Sequence, residues 1–136
     1  MPTSPSQKRL RFERATVYPE PNEQCRVEVE LTFSDRTIRA SGQGSALGSE
    51  PLKAAALATI RAIQEVVNGR FDCRLTDLDH VTALGKNLIA VLIDFVFEGK
   101  DMQVFGSCQV SGSEVDAAVK ATLNATNRLF ELAMRH

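Results

Sequence analysis

The side chains best suited to chemistry are few and scattered. The histidines are His80, inside a stretch of strand-like alternation, and His136, the last residue. Asp79 beside His80 has the residue types of an acid–base pair. Neighbours in an extended strand point to opposite faces, however, and cannot share a proton. His80 therefore reads as a surface or partly buried histidine. Cys25, Cys73 and Cys108 are widely separated, with no Cys-x-x-Cys pair and no metal-ligand spacing to each other or to His80. An odd, dispersed set of thiols is the pattern of a reduced, cytoplasmic protein that uses cysteine as a small hydrophobe. Cys108 lies in the second glycine-containing stretch and is the thiol most open to redox chemistry, but nothing beside it supports that role. With no nucleophile, base or metal set, the sequence predicts a chain that is not an enzyme and needs no cofactor or metal.

A glycine-rich stretch, Gly42-Gln43-Gly44-Ser45-Ala46-Leu47-Gly48, reads as a loop ahead of a helix. It lacks the Gly-Lys-Ser/Thr ending of a nucleotide phosphate loop, and the strand before it belongs to a hairpin, so a dinucleotide fingerprint fails as well. A second stretch, Gly106 to Ser113, leads into another helix in the same way. Helix starts offer free N–H groups and the positive end of the helix dipole, which suit a carboxylate or phosphate. The candidate ligand-binding residues are accordingly Gly48, Ser49, Glu50 and Pro51 at the first helix start, and Gly112, Ser113 and Glu114 at the second.

The elements that position these residues are legible from their periods. Val27, Val29, Leu31 and Phe33 alternate with Glu28, Glu30 and Thr32, which predicts a strand with one dry and one wet face. Ser34-Asp35-Arg36 turns into a return strand over Thr37 to Ser41. Leu52, Ala56, Ile60, Ile63 and Val67 recur at helical spacing, after a Ser49 cap and before an Asn68-Gly69 stop. A strand over Leu75 to Leu84, a turn at Gly85-Lys86-Asn87 and a strand over Leu88 to Phe97 follow. That last strand is apolar in both phases, interrupted by Asp94, and so must be covered on both faces, by its helices and by a partner copy. Glu98 to Asp101 turns into Met102 to Ser107, and Ser113 caps a final long helix, with Asp116 three residues on.

Length and composition agree with this reading. The 136 residues, 14.9 kDa and 43% hydrophobic, suit one domain with a real core. Sixteen Lys and Arg against seventeen Asp and Glu leave a net charge of −1, so nothing global draws the chain to nucleic acid or an anionic membrane. Aromatic residues at 6% argue against a base-stacking surface, and no apolar run approaches the ~20 residues of a membrane span. Residues 1–14 read as a polar basic tail carrying Lys8, Arg9, Arg11 and Arg14.

The remaining chain, 15–136, reads as one domain built twice. An offset of 64 takes Val27 to Val91, Val29 to Ile93, Leu31 to Phe95 and Phe33 to Phe97, and brings Gly48-Ser49-Glu50 onto Gly112-Ser113-Glu114. One residue is then lost, so that Ala54-Ala55 meets Ala117-Ala118. The predicted fold is α+β, with two βββα units of about 15–69 and 70–136, related by a pseudo-twofold axis, their helices packed on antiparallel sheet. Ala15 to Tyr18 supplies the short first strand of the first unit.

The order of elements and the helix-start motifs resemble one family, the C-terminal regulatory (allosteric, dimerisation) domain of α-isopropylmalate synthase and its homocitrate and citramalate synthase relatives. The resemblance runs from about Ala15 to Phe130. Gly48-Ser49-Glu50-Pro51-Leu52-Lys53-Ala54-Ala55 stands where that family has Gly-x-Gly-Pro-Val-Asp-Ala. Gln109-Val110-Ser111-Gly112-Ser113-Glu114-Val115 stands where it has Gly-x-Gly-Val-Ser-Thr-Asp-Ile, and Ala125-Thr126-Asn127-Arg128-Leu129 resembles its helix ending. Glu50 departs from the usual glycine, Ser113 from the usual aspartate, and Gln109 from the usual glycine. The resemblance implies a stand-alone cytoplasmic homodimer without the catalytic barrel, a regulatory module of the leucine-biosynthesis type. Its ligand would be a branched-chain amino acid or keto acid, and its partner an enzyme. A structural dimerisation scaffold that has lost its ligand is the alternative.

Overall fold

The computed structural model describes residues 9–134, so Lys8 and His136 lie outside the described residues. The chain runs β1 (Arg11–Glu20), β2 (Gln24–Phe33), β3 (Arg36–Ser45), α1 (Glu50–Val67), β4 (Asp72–Ala83), β5 (Lys86–Phe97), β6 (Lys100–Gln109) and α2 (Glu114–Met134). It folds as two antiparallel three-stranded sheets, ordered β1-β2-β3 and β4-β5-β6, each followed by its helix. The two βββα units expected from the duplication are present.

The dry phase of β2 faces inward, with Val27, Val29 and Leu31 fully buried, as are Ile89, Ile93 and Phe95 of β5. Each helix packs on its own sheet, α1 on β3 and β2 and α2 on β6 and β5. Each also touches the other unit, α1 meeting β4 and α2 meeting β1, while the helices contact each other. Hence α1 is buried at eleven of its positions, among them Ala54, Ala55, Ala56, Ala58 and Ala62. One sheet would need only a stripe about 100° wide, so an alanine-rich helix buried this broadly is one packed on several sides. The buried hydroxyls of Thr59, Thr122 and Thr126 are satisfied within their helices, each donating to a carbonyl four residues back at 2.8–2.9 Å. Phe33 and Phe130 meet edge to face at 5.3 Å, tying the end of β2 to α2.

Three expectations change. First, β1 is ten residues long and begins at Arg11, so Arg11 to Arg14 of the basic segment are strand. Two of the segment's arginines are paired, Arg14 with Glu30 at 3.2 Å and Arg9 with Glu131. Second, Gly42 to Ser45 belong to β3, with Gly42 opposite Val27 and Gly44 opposite Cys25. Glycine sits there because the helix presses on the strand: a Cβ on Gly42 would lie 2.3 Å from the Ala54 carbonyl oxygen. Gly106 is the same feature in the second unit, where a Cβ would lie 2.2 Å from the Ala121 oxygen and 2.6 Å from the Ala125 nitrogen. These contacts pair Ala54 with Ala121 and Ala58 with Ala125, so relative to the sheets the helices correspond with four more residues of offset than the sequence alignment implies. Third, the β4–β5 turn is Leu84-Gly85, with φ of 54° and 73°, and Lys86 and Asn87 already belong to β5. Two left-handed residues are what a two-residue hairpin turn requires.

Candidate functional site

Both helix starts form as expected, by different means. At α1, the Ser49 carbonyl accepts the N–H groups of Leu52 and Lys53 at 3.0 and 3.2 Å, but its hydroxyl does not cap. Glu50 pairs with Lys53 at 3.4 Å, and Pro51 occupies the first turn, where no N–H is needed. Gly48, with φ of 60°, turns the chain into the helix. At α2, the Ser113 hydroxyl accepts the Asp116 N–H at 3.1 Å, after a turn at Gly112 with φ of 91°. The Glu114 carboxylate is taken by His80 Nε2, which pins β4 to the start of α2. His80 is thus a surface residue with a structural partner, and Asp79, on the opposite face, plays no part in the contact.

Among the described residues, no single cavity brings the two helix starts together. A cleft of about 1170 Å³ instead opens beside α1 and the start of β4, extending to the β5–β6 end of the second sheet. Glu50 lines it; residues 112–114 do not. One wall is a stripe of α1, the polar Lys53, Arg61 and Gln64 with Leu57 among them, spaced so that all four share the side the core leaves open. The strands contribute Asp72, Cys73, Arg74 and Leu75 of β4, Asp94 and Val96 of β5, and Asp101, Met102 and Gln103 of β6.

Most charges of the cleft are already engaged. Lys53 holds Glu50, Arg61 donates to the Ser41 carbonyl at 2.7 Å, Gln64 to Asp72 at 2.9 Å, and Gln103 to Asp94 at 3.0 Å. Arg74 and Asp101 are the lining charges with no hydrogen bond or ion pair to any described residue. By register, Arg74 lies opposite Asp94 and Asp101 opposite Val96, so the two flank β5 on one face of the sheet. A free cation, a free carboxylate and the apolar surfaces of Leu57, Ile60, Leu75 and Met102 thus share one opening.

Two of the thiols, Cys73 and Cys25, are poor nucleophiles. Burial, with a lesser push from Asp72, raises the Cys73 thiol to about 12, and burial raises Cys25 above its ordinary value, with Glu20 adding to it. No group of three or more His, Cys, Asp or Glu among the described residues is placed to hold a metal ion. No described helix is long and apolar enough to cross a membrane.

Sequence reasoning missed Arg61, Gln64, Arg74, Asp101 and Gln103. The α1 stripe was legible as the polar side of a helical wheel, but its pairing with β4 and β6 depends on how the two units pack. No protein-family model matches the chain, and no curated protein matches it in sequence.

Proposed function

We propose that the protein is a non-catalytic, self-associating regulatory module that binds a small zwitterionic metabolite, in the manner of an α-isopropylmalate synthase regulatory domain. What carries the reading is the cleft beside α1, where Arg74 and Asp101 stand uncommitted around an apolar floor. A branched-chain amino acid presents the complementary set: its carboxylate pairs with Arg74, its ammonium with Asp101, and its side chain lies against Leu57 and Met102. In this reading the ligand site runs along the exposed side of α1. Of the helix-start residues, Glu50 belongs to it, while Gly112, Ser113 and Glu114 act in seating α2.

Regulation then consists of passing the bound state to a partner enzyme, and the cytoplasm is the setting in which free thiols and a metabolite ligand coexist. The test is calorimetric titration with leucine, isoleucine, valine and their keto acids. Saturable heat with the amino acids, lost in Arg74→Ala and Asp101→Ala, supports the reading. No heat or thermal stabilisation at millimolar ligand would leave the scaffold alternative in its place.

A further inference from the structure

We propose that two copies of this chain associate face to face through the side of the second sheet that carries Leu88, Ala90 and Leu92. This deepens the self-association in the reading above and does not depend on the ligand. Residues directly opposite across a ladder share a face. Leu88 is thus flanked by Val81, Ala90 by Ser107, and Leu92 by Phe105. The helix α2 covers the other side, at Gly106 opposite Val91; on this side Leu88 and Leu92 are half-buried and only the small Ala90 is buried. Phe105 stands 67% exposed, and Val81 and Val96 more than a third exposed.

The first sheet supplies an internal control. At the offset relating β2 to β5, Ala90, Leu92 and Val96 correspond to Arg26, Glu28 and Thr32, and Phe105 corresponds to Ser41. In the first sheet these positions carry a solvated network, with Arg26 beside Glu28 and Glu30 held by Arg14 and Arg39. The same fold thus has polar or charged residues at these four positions of the first sheet, where the second sheet has apolar ones, while Asp94 keeps the charge of Glu30. An exposed apolar patch of this kind marks an interaction surface.

The occupant that fits is a second copy. A dent of about 200 Å³ lies between Val81, Ala90 and Leu92, bordered by Asp77 and Asp79, with Phe105 on its rim. A cavity of about 150 Å³ is enough to hold a benzene ring. Knob and dent on one face are what a twofold, self-matching interface needs. An axis along β5 lays β6 of one copy over β4 of the other at the same level, which carries Phe105 to its partner's dent. There the positive edge of the ring meets the two carboxylates. Three strands of full length, the Val96 end beside the cleft included, present roughly 33 by 14 Å. Two such faces, with the relief of their side chains, reach the roughly 1,000 Å² at which a stable interface begins. Sheets packed in this way lie about 30° apart.

The test is sedimentation equilibrium at tens of micromolar on the full chain, beside the double variant Leu92→Glu, Phe105→Ser. Both replacements copy the residues that the first sheet carries at the corresponding positions, Glu28 and Ser41, and circular dichroism verifies that the variant folds. The expected result is twice the 14.9 kDa chain mass for the natural protein and the single mass for the folded variant. If the variant does not fold, Phe105→Ser alone takes its place, with at least a tenfold weakening of association expected. A natural chain that sediments as monomer, or a folded variant that remains dimeric, overturns the proposal. A monomer that still binds leucine would overturn only the interface, and a dimer that binds none would overturn only the ligand reading.

Discussion

Single residues decide how the cleft behaves. Glu50 is the carboxylate nearest the predicted anion site at α1, and it occupies Lys53. Replacing Glu50 with Gly removes a negative charge and releases a lysine toward the ligand. The expected gain in amino-acid affinity is about 1 kcal/mol, a several-fold fall in calorimetric Kd; an unchanged or weaker Kd would separate the helix start from the site. The thiols give a second expectation. Cys108 is half-buried and Cys25 and Cys73 are buried, so native protein at pH 8 should take up one equivalent of an alkylating reagent quickly and two more only in denaturant. The alkaline behaviour has a definite sign. Cys73 titrates at about 12 when folded against an ordinary 9.0, so the unfolded chain releases that proton first. Its contribution to stability is complete below pH 9 and declines as pH rises from there toward 12. Thermal melts at pH 8 and 10.5 should show a smaller alkaline loss for Cys73→Val than for the natural chain.

At the scale of elements, the glycines report how closely helix and strand approach. Gly106→Ala forces a methyl against the α2 backbone, with a loss of about 1–3 kcal/mol or more. Gly44→Ala places its Cβ no closer than 3.7 Å to the Glu50 oxygen, an ordinary contact, and should melt close to the natural chain. Equal melting of the two variants would disprove the close packing. Leu84 offers the opposite test, since it is fully exposed in a left-handed conformation with φ of 54°. Leu84→Asn makes the turn Asn-Gly and should raise stability by about 1 kcal/mol, read as a higher Tm. The strands were legible because Val27, Val29 and Leu31, and then Ile89, Ile93 and Phe95, write their alternation directly into the chain. Gly42 and Gly44 misled because a strand glycine under a helix has the composition of a loop. The length of β1 was hidden because Arg11 to Arg14 look like a tail until Glu30 and Glu131 are seen to hold their neighbourhood.

At the scale of the whole molecule, the cleft and the proposed dimer surface share one face of the second sheet. Asp94 and Val96 line the cleft and continue the face of Leu88, Ala90 and Leu92, so a partner docked on that face meets the ligand's opening. Ligand and association should then be linked, each strengthening the other by the same factor, which sedimentation with and without leucine would read as a shifted monomer–dimer balance. The duplication itself was visible in the sequence, yet the cleft was not, because it needs α1 of one unit beside β4 to β6 of the other. The central claim is that this cleft binds a zwitterion. Amide chemical-shift mapping of the labelled protein during titration with leucine tests it most directly. Saturable shifts confined to the α1 stripe from Lys53 to Gln64, to Cys73 and Arg74, and to Asp101 through Gln103 are expected. Shifts at Gly112 to Glu114 alone, or no shifts at millimolar leucine, would contradict it.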